Sequence, residues 1–236
     1  MPLDAQAYYN QYWIERERPR AESRSRERAV VALGLLASTG AEHGTLLDVG
    51  CGPGWALETF HEAGYAVAGI DASSGAVNEA REKGLDARCL DVEREPVENA
   101  FGGKARFGAV VALEVLEHLS DPLGVLRVLL GLLEPKGRLV VSLPNEISLA
   151  ARLQMLAGRL PFGGHDDPHI RHFDRGHARR LFKAVSCRVA CEKAISLAPP
   201  GAKLLRFFTR PFLALFPGAF SLTTVYLLER EGAEDA

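Results

Sequence analysis

Three aspartates, each near the end of an apolar run, are the residues with the most chemistry to offer: Asp48, Asp71 and Asp91. The first lies in Thr45-Leu-Leu-Asp-Val-Gly-Cys-Gly-Pro-Gly54, two residues before three glycines at alternate positions, Gly50, Gly52 and Gly54. Glycine permits positive φ and lets backbone approach a ligand closely. The helix expected after it offers unpaired N–H groups and a positive dipole end. Together these bind a nucleotide-like cofactor. A dinucleotide fingerprint is G-x-G-x-x-G, whereas the third glycine here comes one residue early. A pyrophosphate would be repelled by the carboxylate of Asp48, and a cofactor carrying cationic groups would be attracted. Taken alone, the stretch also fits a tight turn with no ligand. Asp71 stands 17 residues beyond Gly54, where an acid at the end of a second strand accepts hydrogen bonds from ribose hydroxyls. It could instead cap a helix, but Ser73 can do that without it.

A second group of ionisable residues sits further on. His165, His169 and His172 fall in one polar stretch, and Glu114, Glu117 and His118 follow an apolar run. Imidazole titrates near neutral pH and suits a general base; His169 and His172 are the candidates for that role. Glu114, Glu117 and His118 could be read as a hard-cation site. A turn that shapes a pocket and leads into a helix explains them better, and no metal is expected.

The elements that must position these groups follow from periodicity and punctuation. Strands are expected at 45–49, 65–71, 86–91, 107–113 and 138–143, with helices at 54–63, 73–83 and 122–133 between them and a weak helix or loop at 93–105. Residues 134–137 read as a turn before the fifth strand. The 107–113 run is wholly apolar, as expected of a strand covered on both faces. Such βα alternation implies a parallel, doubly wound sheet with ligands at the carboxyl ends of its strands. Residues 146–172 interrupt it with a short amphipathic helix and the histidine-rich stretch, expected to hang over the pocket as a lid. A helix at 175–184 and strands at 187–197 and 221–229 complete the chain. Cys187 and Cys191 should then share a face of one strand. Before the first strand, 1–44 reads as a helical flap, with Tyr8, Tyr9, Tyr12 and Trp13 concentrated in it. These aromatics either cover a pocket or anchor a helix to the core. The alternating Arg and Glu of 16–28 read as a solvated helix face.

Composition sets outer limits. Hydrophobic residues make up 47% of the 236 and charged residues 25%, as in an ordinary globular protein. A net charge of −2 gives no reason to expect nucleic acid as a partner. Met1-Pro-Leu-Asp-Ala-Gln does not read as a signal peptide, and no apolar run is long enough to span a bilayer. The four cysteines form no C-x-x-C pair, and reduced thiols in a cytoplasmic protein are expected.

Leu46-Leu-Asp-Val-Gly-Cys-Gly-Pro-Gly, Gly69-Ile-Asp71, Asp91, Leu113-Glu-Val-Leu-Glu-His-Leu-Ser-Asp-Pro and Leu133-Glu-Pro-Lys-Gly-Arg-Leu together resemble the successive motifs of class I S-adenosylmethionine (SAM) dependent methyltransferases. The Glu-Val-Leu-Glu-His segment is similar to that of the ubiquinone-biosynthesis O-methyltransferases, in which it has been linked to a divalent metal. Pro144-Asn145, Arg152-Leu-Gln-Met-Leu and Gly158-Arg159 are similar to the methionine-biosynthesis protein MetW. The resemblance implies an α/β, Rossmann-like fold with a seven-stranded, mostly parallel sheet of order 3-2-1-4-5-7-6, strand seven antiparallel. It implies a SAM-binding domain over 45–236. Asp48, Gly50, Cys51, Gly52 and Gly54 would surround the methionine part, Asp71 and Ala72 the ribose, and Asp91 and Val92 the adenine, with Leu113 beneath.

The function expected is SAM-dependent methylation, with O-methylation of a small, partly apolar acceptor preferred. N-methylation and a non-catalytic SAM-binding partner protein are the alternatives. The segment 199–219 holds much of the chain's phenylalanine beside several cations. It should wall the acceptor pocket or form a homodimer contact, with membrane-surface binding through 204–220 as a third reading. Pro211 should break any continuous helix there.

Overall fold

The computed structural model describes residues 5–15, 18–40, 44–102, 106–161 and 168–231. Two helices come first, α1 (Ala5–Glu15) and α2 (Arg18–Ala37). Strands and helices then alternate as β1 (Thr45–Val49), α3 (Trp55–Glu62), β2 (Ala66–Asp71), α4 (Ser74–Glu82), β3 (Ala87–Cys89), α5 (Val97–Ala100), β4 (Phe107–Leu113), α6 (Pro122–Gly131) and β5 (Leu133–Pro144). The rest is α7 (Leu149–Leu156), α8 (Arg175–Lys183), β6 (Cys187–Ser196), α9 (Lys203–Leu215), α10 (Pro217–Phe220) and β7 (Ser221–Arg230).

The sheet has seven strands in the order β3-β2-β1-β4-β5-β7-β6. The pairs from β3 to β5 are parallel, and β7 runs antiparallel to both neighbours. This is the expected fold. Side chains alternate across β4. Val110 and Ala112 pack toward Leu126, Leu129 and Phe182 of α6 and α8. Ala109, Val111 and Leu113 pack toward Leu36, Ala56 and Phe60 of α2 and α3. With helices on both faces every β4 position but Gly108 is buried, which is why the 107–113 run carries no polar residue.

Ser73, Asp121, Ser148 and Asp174 cap their helices by accepting the N–H of Ala76, Gly124, Ala151 and His177.

Several expectations change. β3 ends at Cys89, so Asp91 lies in the turn beyond it. The 134–137 turn lies inside β5, as a bulge where the pairing of Phe107 with Leu133 steps to Ala109 with Arg138. A Cβ at Gly137 would stand 3.0 Å from the Phe107 carbonyl oxygen, so the bulge admits little else. Cys187 is buried and Cys191 exposed. A register slip between Val189 and Cys191 reverses the alternation that would have put them on one face. The Arg-Glu face of α2 is not solvated throughout, because Arg24 and Arg28 are buried. Arg24 donates to the carbonyl oxygens of Ser196 (3.1 Å) and Leu197 (2.9 Å), fastening α2 to the end of β6. Helix α9 also continues through Pro211.

Candidate functional site

The carboxyl ends of β1, β2 and β4 open onto a cavity of about 480 Å³. Of the residues expected at a cofactor, Asp48, Gly50 and Cys51 line it from β1, and Asp71 and Ala72 from β2. Asp91, Val92 and Leu113 complete that wall. Gly52 and Gly54 do not line it. Gly52 has φ 52°, and a Cβ there would come within 2.5 Å of the Trp13 ring. Gly54, φ 84°, is the residue before α3 and faces Ala80 and Leu85. Two of the three glycines therefore shape the turn and its neighbours rather than the cavity surface.

The acids differ in how they are satisfied. Asp48 is buried, and its Oδ2 has no hydrogen-bond partner among the described residues. Burial, and then the charge of Asp71, push its carboxyl well above the usual carboxylate range. Asp71 accepts from the N–H of Gly52 at Oδ2 (2.8 Å) and of Ser73 at Oδ1 (2.8 Å). Burial raises it to about 6 against the opposing pull of those two N–H groups. Asp71 is thus a buried clamp between the glycine turn and the end of β2 as well as a cavity wall. Asp91 is half-buried and accepts from the N–H of Glu93 (3.0 Å).

Helix α1 roofs the cavity with Tyr9, Tyr12 and Trp13. Asn10 fastens it to the start of α4: its Oδ1 accepts from Ser73 Oγ (2.7 Å) and the Gly75 N–H (3.1 Å). Arg18 pairs with Glu79 just beyond it. Trp13 meets Trp55 edge to face, with centroids 5.6 Å apart. Burial raises the Tyr9 phenol, with a further push from Tyr8. The clustered aromatics cover the pocket.

From the stretch expected to form a lid, the described residues contribute His169 to the cavity lining. Residues 168–172 are strapped to the 116–118 turn. The N–H groups of Ile170 and Arg171 both donate to the Glu117 carbonyl oxygen (3.0 Å each), and His118 Nδ1 stands 3.0 Å from the Pro168 carbonyl oxygen. His169 reaches the cavity; His172 does not and is half-exposed. His165 lies outside the described residues. Glu146 joins the other two. Its Oε2 is 2.6 Å from His172 Nδ1, and its Oε1 is 3.2 Å from His169 Nδ1, an ion-pair distance without hydrogen-bond alignment.

The Glu114, Glu117 and His118 trio is divided. Glu114, at φ 58°, turns back to Ser142 Oγ (2.8 Å) and Thr223 Oγ1 (2.6 Å). Glu117 and His118 instead meet His169, with one ligand atom from each within 4.8 Å of the others. Glu117 is fully buried; its Oε1 lies 3.9 Å from His118 Nε2, and neither carboxylate oxygen has a hydrogen-bond partner among the described residues. Its carboxyl is pushed well above the usual range by burial and then by Glu114. Two imidazoles and one carboxylate form a donor set better suited to a transition metal than to magnesium.

Sequence reasoning passed over two residues. Glu146 lies two residues past the end of the fifth strand, the position where sites gather in such sheets. Arg28 is buried in the cavity wall, with Nη1 3.9 Å from Glu114 Oε2 and Nε without a partner among the described residues. Its signal was the spacing Arg20, Arg24, Arg28, which puts three guanidinium groups on one helix face.

Residues 15–192 match the Methyltransferase domain family. Among curated proteins, the chain is 35% identical over 135 residues to a ubiquinone biosynthesis O-methyltransferase of Xanthomonas oryzae pv. oryzae (strain PXO99A), covering 54% of this chain and 55% of that one. It is 35% identical over 131 residues to the protein of that name from Caulobacter vibrioides, covering 52% and 51%. The match thus spans about half the length of these relatives. Among solved structures, it is similar to a magnesium protoporphyrin IX methyltransferase from Synechocystis PCC 6803 with bound S-adenosylhomocysteine (SAH), at TM-score 0.67 and 16% identity over 96% of this chain and 98% of that one. A SAM-dependent methyltransferase from Clostridium acetobutylicum aligns at TM-score 0.63 and 12% identity, over 96% and 100%. At these identities the structures speak for the fold. The family match over three quarters of the sequence says more: this chain belongs to the methyltransferase domain family.

Proposed function

We propose that this chain transfers the methyl group of SAM to an oxygen of a small, partly apolar acceptor. What supports this reading is that the cavity offers a group for each part of the cofactor. SAM carries an ammonium and a carboxylate. The unpartnered Asp48 Oδ2 suits the first and the buried Arg28 guanidinium the second. Asp71 would accept from the ribose hydroxyls, with Asp91 and the Val92 N–H toward the adenine and apolar Leu90 and Leu119 along it. A pyrophosphate-bearing dinucleotide would meet Asp48 instead. The single observation that carries this reading is the unpartnered buried carboxyl at the end of β1, because such a group ionises at a cost that a cationic ligand offsets.

SAM, when bound, supplies an electrophilic methyl on a sulfonium. The chain's part is alignment, water exclusion and proton removal. Tyr9, Tyr12 and Trp13 cover the cavity. His169 would accept the acceptor's hydroxyl proton at Nε2, while Glu146 holds the Nδ1 side and stabilises the imidazolium. His172 would hold the far oxygen of Glu146 from outside. The preference for oxygen rests on this imidazole–carboxylate pair and on the likeness to curated O-methyltransferases. A neutral amine needs such a base less.

A panel of phenols, aliphatic alcohols and amines, assayed with SAM for SAH release, tests the proposal. Turnover confined to phenols or alcohols is expected. Turnover of amines alone would move the assignment to N-methylation, and SAM binding with no turnover of any acceptor would favour a SAM-binding partner protein.

A further inference from the structure

Helix α9 faces the wrong way for a helix that completes a core. Its half-buried positions are Arg206, Thr209 and Leu213, at helical spacing, and they form the side turned to the protein. Arg206 pairs there with Glu27 of α2. The apolar side is outward: Leu204 is 72% exposed, Phe207 71%, Phe208 62% and Leu215 71%. No residue of α9 or α10 lines the cavity, so the segment is not the pocket wall that its composition implied. The Phe212 and Phe220 rings, 5.5 Å apart, join α9 to α10, and α10 packs on α7. Helix α7 and the turn after it also point Leu153, Leu156 and Leu160 outward.

The charge of these segments is one-sided, and with Arg206 paired inward four of their cations are exposed. Residues 147–161 and 197–228 contain Arg152, Arg159, Lys203, Arg206 and Arg210 and no aspartate or glutamate. They carry +5 in a chain of net −2, leaving −7 on the remainder. At 13 residues α9 is too short to cross a bilayer, and no described helix is long and apolar enough to do so. Outward phenylalanine and leucine bordered by cations is the pattern of a helix lying in the membrane interface. A second copy fits poorly, since a two-fold contact sets the same patch against itself and brings the cations together.

We propose that the α7–α9–α10 face docks on an anionic lipid surface, with the phenylalanine and leucine side chains entering the headgroup boundary and Lys203, Arg210, Arg152 and Arg159 meeting lipid phosphates. The inference does not rest on methyl transfer. Asn145, beside the cavity residue Pro144, donates to the carbonyl oxygens of Gly218 (3.1 Å) and Ser221 (3.0 Å). The docking face therefore adjoins the cavity rim.

Co-sedimentation of the full chain with phosphatidylcholine vesicles, with and without phosphatidylglycerol, tests this. Binding to the anionic vesicles is expected, weakening with salt. Phe207→Asp/Phe208→Asp should lower the partition at least about tenfold, and Lys203→Glu/Arg210→Glu should lower it on anionic vesicles only. Both variants should keep the wild-type circular dichroism melting curve, which separates lost docking from lost fold. The proposal is overturned if the wild type does not sediment with anionic vesicles, or if the double Asp variant sediments as well as the wild type. A lipid-free dimer by light scattering that this variant dissolves would assign the face to self-association instead.

Discussion

The two walls of the cavity are built by different means. The cofactor wall stands on strand ends: Asp48, Asp71, Gly50 and Cys51 are fixed by β1, β2 and the turn between β1 and α3, and backbone N–H groups hold Asp71. The lid side combines side-chain pairs around Glu146 with backbone bonds from 170 and 171 to the Glu117 carbonyl oxygen, and its ionisable groups meet only as side chains. Glu146 reaches His169 and His172, and the 116–118 turn is strapped to 168–171. A wall made of backbone tolerates little change, because its geometry is the geometry of the sheet. A wall made of side-chain pairs can be altered one residue at a time. At Asp71, which the backbone holds, the cofactor wall should therefore lose fold and binding together, and at Glu146 the lid side should lose rate alone.

The largest effect is expected at Asp71. Asp71→Ala removes an acceptor worth about 1.5–3 kcal/mol to bound SAM and leaves two buried N–H groups unpaired, at about 1–3 kcal/mol each. Both SAM affinity by calorimetry and the urea midpoint should fall. A loss of affinity with unchanged stability would break the comparison, since Asp71 would then be no clamp.

Glu146→Gln should act differently. It removes the charge behind His169 and should lower kcat about 10–100-fold, with SAM affinity and urea midpoint nearly unchanged. His172→Ala, at a half-exposed position outside the cavity, should cost less than about threefold. Equal losses from the two changes would mean that both histidines face the acceptor.

A dependence on pH sharpens the cofactor side. The Asp71 carboxyl is raised by burial from 3.8 to about 6, so the native chain holds that proton where the unfolded chain has lost it. Its contribution to stability is full below about 4 and is lost as pH rises through about 6, an effect on the order of 2–3 kcal/mol. Asp71→Asn should flatten urea midpoints measured between those pH values. An unchanged slope would assign it to other groups.

The same division decides what the sequence made legible. Asp48 stands just before the glycine turn, Asp71 ends an apolar run and Asp91 lies just past another, so local pattern marks them. Glu146 and His169 are 23 positions apart with a helix between, and local pattern cannot show which histidine turns inward. Arg28 was hidden for a related reason. Alternating charge predicts a wet face, and only the packing of α2 over the strand ends buries it. The inverted α9 is the converse case, since its amphipathic pattern is plain while the side that faces out depends on the Arg206–Glu27 pair. In Cys187 and Cys191 a single bulge undid a sound period-two argument.

Titration calorimetry of the wild type and Asp48→Asn with SAM, SAH and NAD tests the cofactor assignment most directly. SAM and SAH should bind the wild type and NAD should not. Asp48→Asn should weaken SAM by about 1.5–3 kcal/mol while stabilising the ligand-free chain, because a buried carboxylate without a partner is removed. Binding of NAD without SAM, or undiminished SAM affinity in Asp48→Asn, would contradict the assignment.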